Sequence, residues 1–270
     1  TASANMVSTT RAMVKDEADI IGQTVDWMLR NVDQVIVADN NSWDGTREIL
    51  DASGAIVVDD PEVGYLQSAK MSQLAEMARV AGADWVVPFD ADEIHVLLGA
   101  PIKDGLAEID ADVLVSEAPL YDHVATGADS DDTDPIRRMT YRRASQAPLR
   151  KVAVRAVEGV TIHQGNHSAS FPGIRHPKTV TDLMCVHHFP YRSVEQFVSK
   201  VRNGAAAYAA TDLPKEAGAH WRQYGEILDR QGEAGIAEIF HTWFYRENPH
   251  EELVIHGEQQ RALIHDPCPR

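Results

Sequence analysis

Three short apolar runs, each separated from the next by a segment of helical periodicity, constrain this chain more than anything else in it. They are "QVIVADN", "GAIVVDD" and "DWVVPFDADEI". Runs this short, β-branched and nearly continuous suit strands covered on both faces, as in a parallel sheet. A fourth strand is expected ahead of them in "NMVSTTRAMV". After it, "DEADIIGQTVDWMLRNV" repeats Ile20, Ile21, Val25, Met28, Leu29 and Val32 at helical spacing, with acids in the first turn. "SWDGTREILDAS" offers a turn and a helix start, and "LQSAKMSQLAEMARVAG" a long amphipathic helix closed by Gly82. Strands alternating with helices make βαβ units, so the fold class is α/β, with a doubly wound, mostly parallel sheet. Pro88 would remove a ladder hydrogen bond from the last run, which predicts a bulge at that strand's end.

The second half is less regular. "DVLVSEAPLYDHV" reads as a strand, "ATGADSDDTDP" as an acidic loop, and "RRMTYRRASQAPLRKVAVRAV" turns strand-like near its end. "VTIHQGNHSASFPG" is turn-rich. "LMCVHHF" is a short strand running into "SVEQFVSKVRNGAAAYAA", a helix with a serine N-cap and a glutamate behind it. From His220 onward the chain reads mainly helical. A soft boundary near Gly99 divides residues 1–99 from 100–219; the fold class includes a C-terminal mixed β/helical part, and within it 220–270 is expected as a helical extension. The second part is expected to wrap the first rather than fold alone.

At 270 residues the chain can bury a sizeable core. Its formal net charge of −16 argues against a nucleic-acid surface, which needs clustered positive charge to neutralise phosphates. Two cysteines, Cys185 and Cys268, are too few for a disulfide framework or a thiolate metal site. No apolar run approaches membrane-spanning length and no leader pattern is visible, so a cytoplasmic location is expected.

Ligands of open α/β sheets bind beyond the carboxyl ends of the strands, and Asp39 and Asp90–Asp92 are predicted at two such ends. Residues two apart on an extended segment point the same way, so Asp90 and Asp92 can face one ligand. Mg²⁺ or Mn²⁺ takes a few carboxylate oxygens and keeps positions open for phosphate oxygens. An Asp-x-Asp at a strand end therefore suits a metal–diphosphate, although such acids can equally cap a helix or solvate a turn.

Three blocks in order, "MVKDEADIIGQTVDWML", "VIVADNNSWDGTREIL" and "GYLQSAKMSQLAEMARVAGADWVVPFDADEI", give the sequence its resemblance to family-2-like glycosyltransferases of the GT-A fold. A further family-like segment is "VHHFPYRSVEQFVSKVRNG". The resemblance implies a metal-dependent, hexosyltransferase-type enzyme. It would move a sugar from a nucleotide-diphosphate sugar, UDP-sugar favoured, to an acceptor hydroxyl on a glycan, a protein or a small molecule. Met13 to Glu17, including Val14 and Lys15, would line the nucleotide pocket. Asp39 would recognise the base, Asp90 the ribose and metal, and Lys70 would lie near the nucleotide. Asp92 would ligate Mn²⁺ or Mg²⁺, completed by His188 or its neighbour His187. These two are adjacent on a strand, so only one can enter a given site.

Gly165 and Asn166 argue for a turn between His163 and His167, which excludes the helical pairing a zinc hydrolase would need. A loop bearing His167, Asn166 and Ser168 can contact sugar hydroxyls or phosphate instead. Lys151, Arg150 or Arg202 would assist the leaving group. "DSDDTD" lacks the glycine and closing glutamate of a calcium loop. The family's downstream Glu-Asp pair is absent, leaving Glu117 and Asp122 as candidates for the acceptor base. No Gln-x-x-Arg-Trp motif is present, so a non-processive enzyme is expected. The alternatives are a metal-dependent carbohydrate-binding protein without catalysis, and a nucleotidyltransferase; the latter usually needs a glycine-rich phosphate loop, which "NMVSTTRAMVKDE" lacks.

Overall fold

The computed structural model describes residues 7–62, 64, 66–255 and 257–269. Its first half alternates as expected: β1 (Ser8–Val14), α1 (Ile21–Asn31), β2 (Gln34–Asp39), α2 (Thr46–Asp51), β3 (Ile56–Asp59), α3 (Gln67–Val80) and β4 (Trp85–Pro88). Asn5 and Met6, the start of the first expected strand, lie outside the described residues. Then follow β5 (Glu93–Val96), α4 (Ile102–Ala107), β6 (Val115–Ala118), β7 (Leu120–Asp122), β8 (Ala125–Thr126), α5 (Pro135–Arg138), β9 (Tyr141–Arg142) and β10 (Lys151–Arg155). The remainder comprises β11 (Thr161–Ile162), β12 (Ala169–Ser170), β13 (Thr179–Thr181), β14 (Cys185–His188), α6 (Val194–Ala209) and α7 (Ala219–Ile239), which runs into a π-helical turn at Phe240–Phe244. Four short strands close the chain: β15 (Tyr245–Arg246), β16 (Leu253–Ile255), β17 (Glu258–Gln260) and β18 (Ile264–His265).

The main sheet has the order β13-β6-β10-β4-β1-β2-β3. β1, β2, β3 and β4 pair in parallel, while β10 runs antiparallel to both β4 and β6. Alternation along β4 sends Trp85 and Val87 to the face covered by α1, and Val86 to the face covered by α3. Val25 and Met28 of α1 complete the first core, and Met71, Leu74 and Ala75 of α3 the second. A smaller sheet, β5-β14-β7, packs with α6 and α7 around Ile94, Phe189, Phe197, Val201 and Ile236. β10 comes from beyond Gly99 yet sits beside β4, so the chain on either side of that glycine shares one sheet.

Two expectations change. Pro88 is simply the last residue of β4, and Phe89 N carries the ladder on by donating to Arg11 O at 3.0 Å, so no bulge is needed. The C-terminal part is helical only as far as Phe244. Beyond it β16 and β17 form a hairpin, with Gly257 at φ 84° in the turn, and β15 and β18 pair back onto β8 and β9. Ser193 caps α6 as expected, its hydroxyl accepting from Gln196 N at 3.1 Å. Among the described residues no helix is long and apolar enough to cross a membrane.

Candidate active site at the ends of β1 and β4

A cavity of about 440 Å³ opens where β1 and β4 end. Its walls come from Met13–Glu17 after β1, Asp90–Glu93 between β4 and β5, His188 of β14, the turn around Gly165 and His167, and one face of α6. Register explains the convergence of the second half on the acids. β14 pairs antiparallel with β5 and parallel with β7, which puts His188 level with Glu93 on one side and Asp122 on the other.

The acids after β4 fall into two charge clusters. In the first, Asp90 Oδ1 accepts from Gln67 Nε2 at 3.1 Å and Asn166 Nδ2 at 3.2 Å, and Oδ2 from Lys151 Nζ at 2.7 Å. Lys151 also meets Glu93 Oε1 at 2.6 Å and donates to Gly165 O at 2.8 Å. Glu93 is fully buried, and that burial raises its carboxyl to about 7 even against the lysine's charge. Burial works against the Lys151 ammonium, but the two carboxylates outweigh it and hold it charged.

In the second cluster Lys200 Nζ donates to Asp92 Oδ2, with Arg192 Nη1 3.8 Å from the same oxygen. Arg192 itself is clasped by Asp19 at 2.7 Å and Glu17 at 2.5 Å. Burial favours a protonated Asp92, yet Lys200, His188 and Arg192 outweigh it and hold the carboxyl well below the usual range. The other oxygen, Oδ1, lies 3.7 Å from His188 Nε2. Asp122 Oδ1 pairs with His188 Nδ1 at 2.7 Å, which leaves Nε2 on the Asp92 side. Burial works against a charged imidazole, but Asp92 and Asp122 outweigh it and favour a proton on Nε2, which a metal ion bound there would displace. A carboxylate–histidine pair of this form is the usual support for a metal-bound imidazole. Asp92 Oδ1 and His188 Nε2 thus fit two positions around Mn²⁺ or Mg²⁺. Among the described residues no cluster of three or more His, Cys, Asp or Glu is arranged to hold a metal ion.

The remaining expected residues divide. Val14, Lys15, Glu17 and His167 line the cavity. Lys15 Nζ donates to Asn40 O at 2.8 Å, and His167 Nδ1 bonds Arg150 O at 2.8 Å. Lys151 lines it too, with its ammonium on Asp90, Glu93 and Gly165 O. Asp39 is buried one layer back, accepting from Ser42 N at 3.3 Å. Lys70 is off the cavity, held on Asp60 at 2.6 Å. Glu117 lies within β6, paired with Val152 and Thr181, and the fold does not bring it to the cavity. Asp122 stands behind His188, so its position is that of an orienting group rather than an acceptor base. His187 turns the other way, its Nδ1 2.9 Å from His123 Nε2. Arg150 pairs with Asp182 and Arg202 with Glu233, both away from the site.

Sequence reasoning passed over Gln67, Arg192, Lys200 and Asn203. A signal for two of them was present. Lys200, Asn203 and Ala207 recur at helical spacing beside the stripe that carries the buried Phe197, Val201 and Tyr208. A polar and small stripe on a helix so well buried marks a face turned towards a cavity.

A profile of glycosyl transferase family 2 matches residues 13–96. Two relatives, uncharacterized glycosyltransferases of Rickettsia bellii and Rickettsia felis, are 26% identical over 208 residues, 76% of this chain and 66% and 69% of theirs. The chain spans about two thirds of the length of these relatives. Among solved structures it is similar to mannosyl-3-phosphoglycerate synthase from Rubrobacter xylanophilus, at 18% identity and TM-score 0.36, covering 56% of this chain and 54% of that one. It is also similar to glucosyl-3-phosphoglycerate synthase from Mycobacterium tuberculosis in complex with Mn²⁺, UDP and glucosyl-3-phosphoglycerate, at 20% identity and TM-score 0.34, covering 44% and 46%. The profile over residues 13–96, together with a doubly wound sheet ending in the Asp90–Asp92 acids, makes this part of the chain similar to family 2 glycosyl transferases.

Proposed function

We propose that the chain transfers a hexosyl group from a nucleotide-diphosphate sugar, a UDP-sugar by preference, to an acceptor hydroxyl, without processivity and with Mn²⁺ or Mg²⁺ bound. The observation that carries this reading is the pair Asp92 Oδ1 and His188 Nε2, 3.7 Å apart on the wall of the one cavity that also receives the end of β1. A second observation supports the cation. Six carboxylates line the cavity, Asp16, Glu17, Glu62, Asp90, Asp92 and Glu93, against three lysines, Lys15, Lys151 and Lys200. A diphosphate entering such a field is repelled unless a divalent cation comes with it.

In this reading the base lies against Val14 and Lys15 at the end of β1, and Asp39, buried behind them with Ser42 N and Arg47, reaches a base N–H only if the segment after β2 shifts. Asp90, held by Gln67, Asn166 and Lys151, is a fixed acceptor towards the ribose. When bound, the metal ion supplies Lewis-acid stabilisation of the leaving diphosphate. Lys200 sits on the cavity wall beside Asp92 and can turn its ammonium from that carboxylate towards a diphosphate oxygen. Arg192 stays fixed by Asp19 and Glu17 and keeps Asp92 ionised.

The test is the melting temperature with UDP, GDP or neither, each with Mn²⁺ or EDTA. Nucleotide at ~100 times its dissociation constant adds about 2.7 kcal/mol. Stabilisation by UDP only with Mn²⁺, lost in Asp92→Ala, is the expected result. No response to any nucleotide under either condition would sink the reading.

A further inference from the structure

The cavity has two chemically distinct ends. Around Asp92 it is ionic. At the other end the wall is Asn203, Gly204 and Ala207 of α6 with His220 and Trp221 from the start of α7. Gly204 has a specific consequence there. A Cβ on it would meet Trp221 Cδ2 at 2.9 Å and Cε3 at 3.0 Å, so the indole lies against the bare helix backbone. His220 packs beside it, ring centroids 4.8 Å apart and tilted 47°. Trp221 is only half-buried, and among the described residues its indole N–H has no protein partner. The Asn203 amide is anchored by donating to Asp16 Oδ2 at 2.8 Å, which directs its oxygen and remaining N–H.

Among the described residues no lysine or arginine side chain lines this end. Lys200 is held on Asp92, Lys151 on Asp90 and Glu93, and Arg222 packs over the Tyr208 ring with its Nη2 donating to Tyr208 O. Burial keeps the His220 ring towards its neutral form. An acidic or phosphorylated acceptor at this end would meet Asp16, the carboxylate that holds Asn203, in a cavity whose carboxylates outnumber its lysines six to three. An aromatic face with an N–H at its edge and an amide beside it matches a ligand with one apolar face and equatorial hydroxyls.

Resting on the glycosyl-transfer reading above, we infer that the Trp221–Gly204–Asn203 wall is the acceptor subsite and that it takes an uncharged saccharide ring stacked on Trp221.

The probe is saturation-transfer NMR on the full chain with methyl glycosides of glucose, galactose, mannose and N-acetylglucosamine, and with maltose, each beside glycerol 3-phosphate. At least one saccharide should receive saturation, strongest at its ring C–H protons, and glycerol 3-phosphate none. Trp221→Ala should weaken that saccharide about tenfold and leave the UDP-plus-Mn²⁺ melting shift unchanged. Gly204→Ala, which keeps the indole but displaces it, should also weaken it, and serves where the alanine variant at Trp221 fails to fold. The inference is overturned if no saccharide binds, if neither substitution weakens binding, or if glycerol 3-phosphate competes for the site. Saccharide binding at Trp221 with no nucleotide response would uphold the subsite while removing the transferase reading.

Discussion

Asp122 Oδ1 accepts a hydrogen bond from His188 Nδ1 at 2.7 Å and thereby aims the opposite ring nitrogen at Asp92. The two side chains meet because β7 and β14 are in parallel register at these residues. Asp122 is thus expected to act on metal affinity without touching the ion. Asp122→Asn should weaken Mn²⁺ binding by roughly 10–100-fold, read by electron paramagnetic resonance of free Mn²⁺. Unchanged affinity would show that His188 is not a ligand.

Lys200 and a metal ion share Asp92. Removing the ammonium in Lys200→Met should strengthen Mn²⁺ binding to the nucleotide-free protein by roughly tenfold, because the carboxylate loses its nearest internal partner. The same variant should lose part of the UDP-dependent melting shift. Calorimetric titrations with and without UDP separate the two effects, and weaker metal binding without nucleotide would contradict the shared-carboxylate picture.

Lys151→Met leaves Asp90 and Glu93 buried without their cation. Breaking a buried pair from one side costs about 3–5 kcal/mol, so a large fall in the urea midpoint is expected. Lys151→Met with Glu93→Leu should recover part of it. A loss of activity with no loss of stability would instead return Lys151 to a substrate-binding role.

His95 is 1% exposed, and neither ring nitrogen has a hydrogen-bond partner among the described residues. Burial, reinforced by the Lys151 charge, lowers the imidazole from 6.5 to about 3. Below pH 6.5 the unfolded chain binds a proton that the folded one refuses, so stability falls as pH drops from 6.5 towards 3. The slope from this group approaches about 1.4 kcal/mol per pH unit. His95→Phe should flatten the acid limb of a denaturation series, and an unaltered limb would exclude His95 as its source.

Arg11 is 1% exposed in the middle of β1, among the described residues its Nε and Nη1 have no hydrogen-bond partner, and burial lowers its guanidinium to about 10. Arg11→Met removes those buried donors at similar length. A gain of about 1 kcal/mol in unfolding free energy is expected, and a loss of comparable size would show that the guanidinium has a role in the fold.

The main sheet was legible because each of its parallel strands is a β-branched run and each intervening helix keeps its period; Val25 and Met28 were placed on the core face from spacing alone. The acids after β4 were legible at a strand end, whereas His188 was singled out, with His187 beside it, only through the family resemblance of its segment. What spacing cannot show is which cation answers which carboxylate. Lys151 lies 61 residues from Asp90, and Lys200 lies 108 from Asp92. Nothing local distinguishes either from a solvated surface lysine, and Glu117 was credible as a base only while its strand's neighbours were unknown. The C-terminal strands were missed because two- and three-residue pairings carry too little alternation to register as a period.

The antiparallel insertion of β10 bears on how the chain is born. β4 leaves the ribosome with Asp90 and Glu93 just behind it, but its sheet neighbour and their counter-charge arrive with Lys151. Until then the nascent chain carries an open strand edge and two acids with no cation beside them, a combination that resists premature closure. The family-matched segment by itself therefore lacks the strand and the cation that complete this edge.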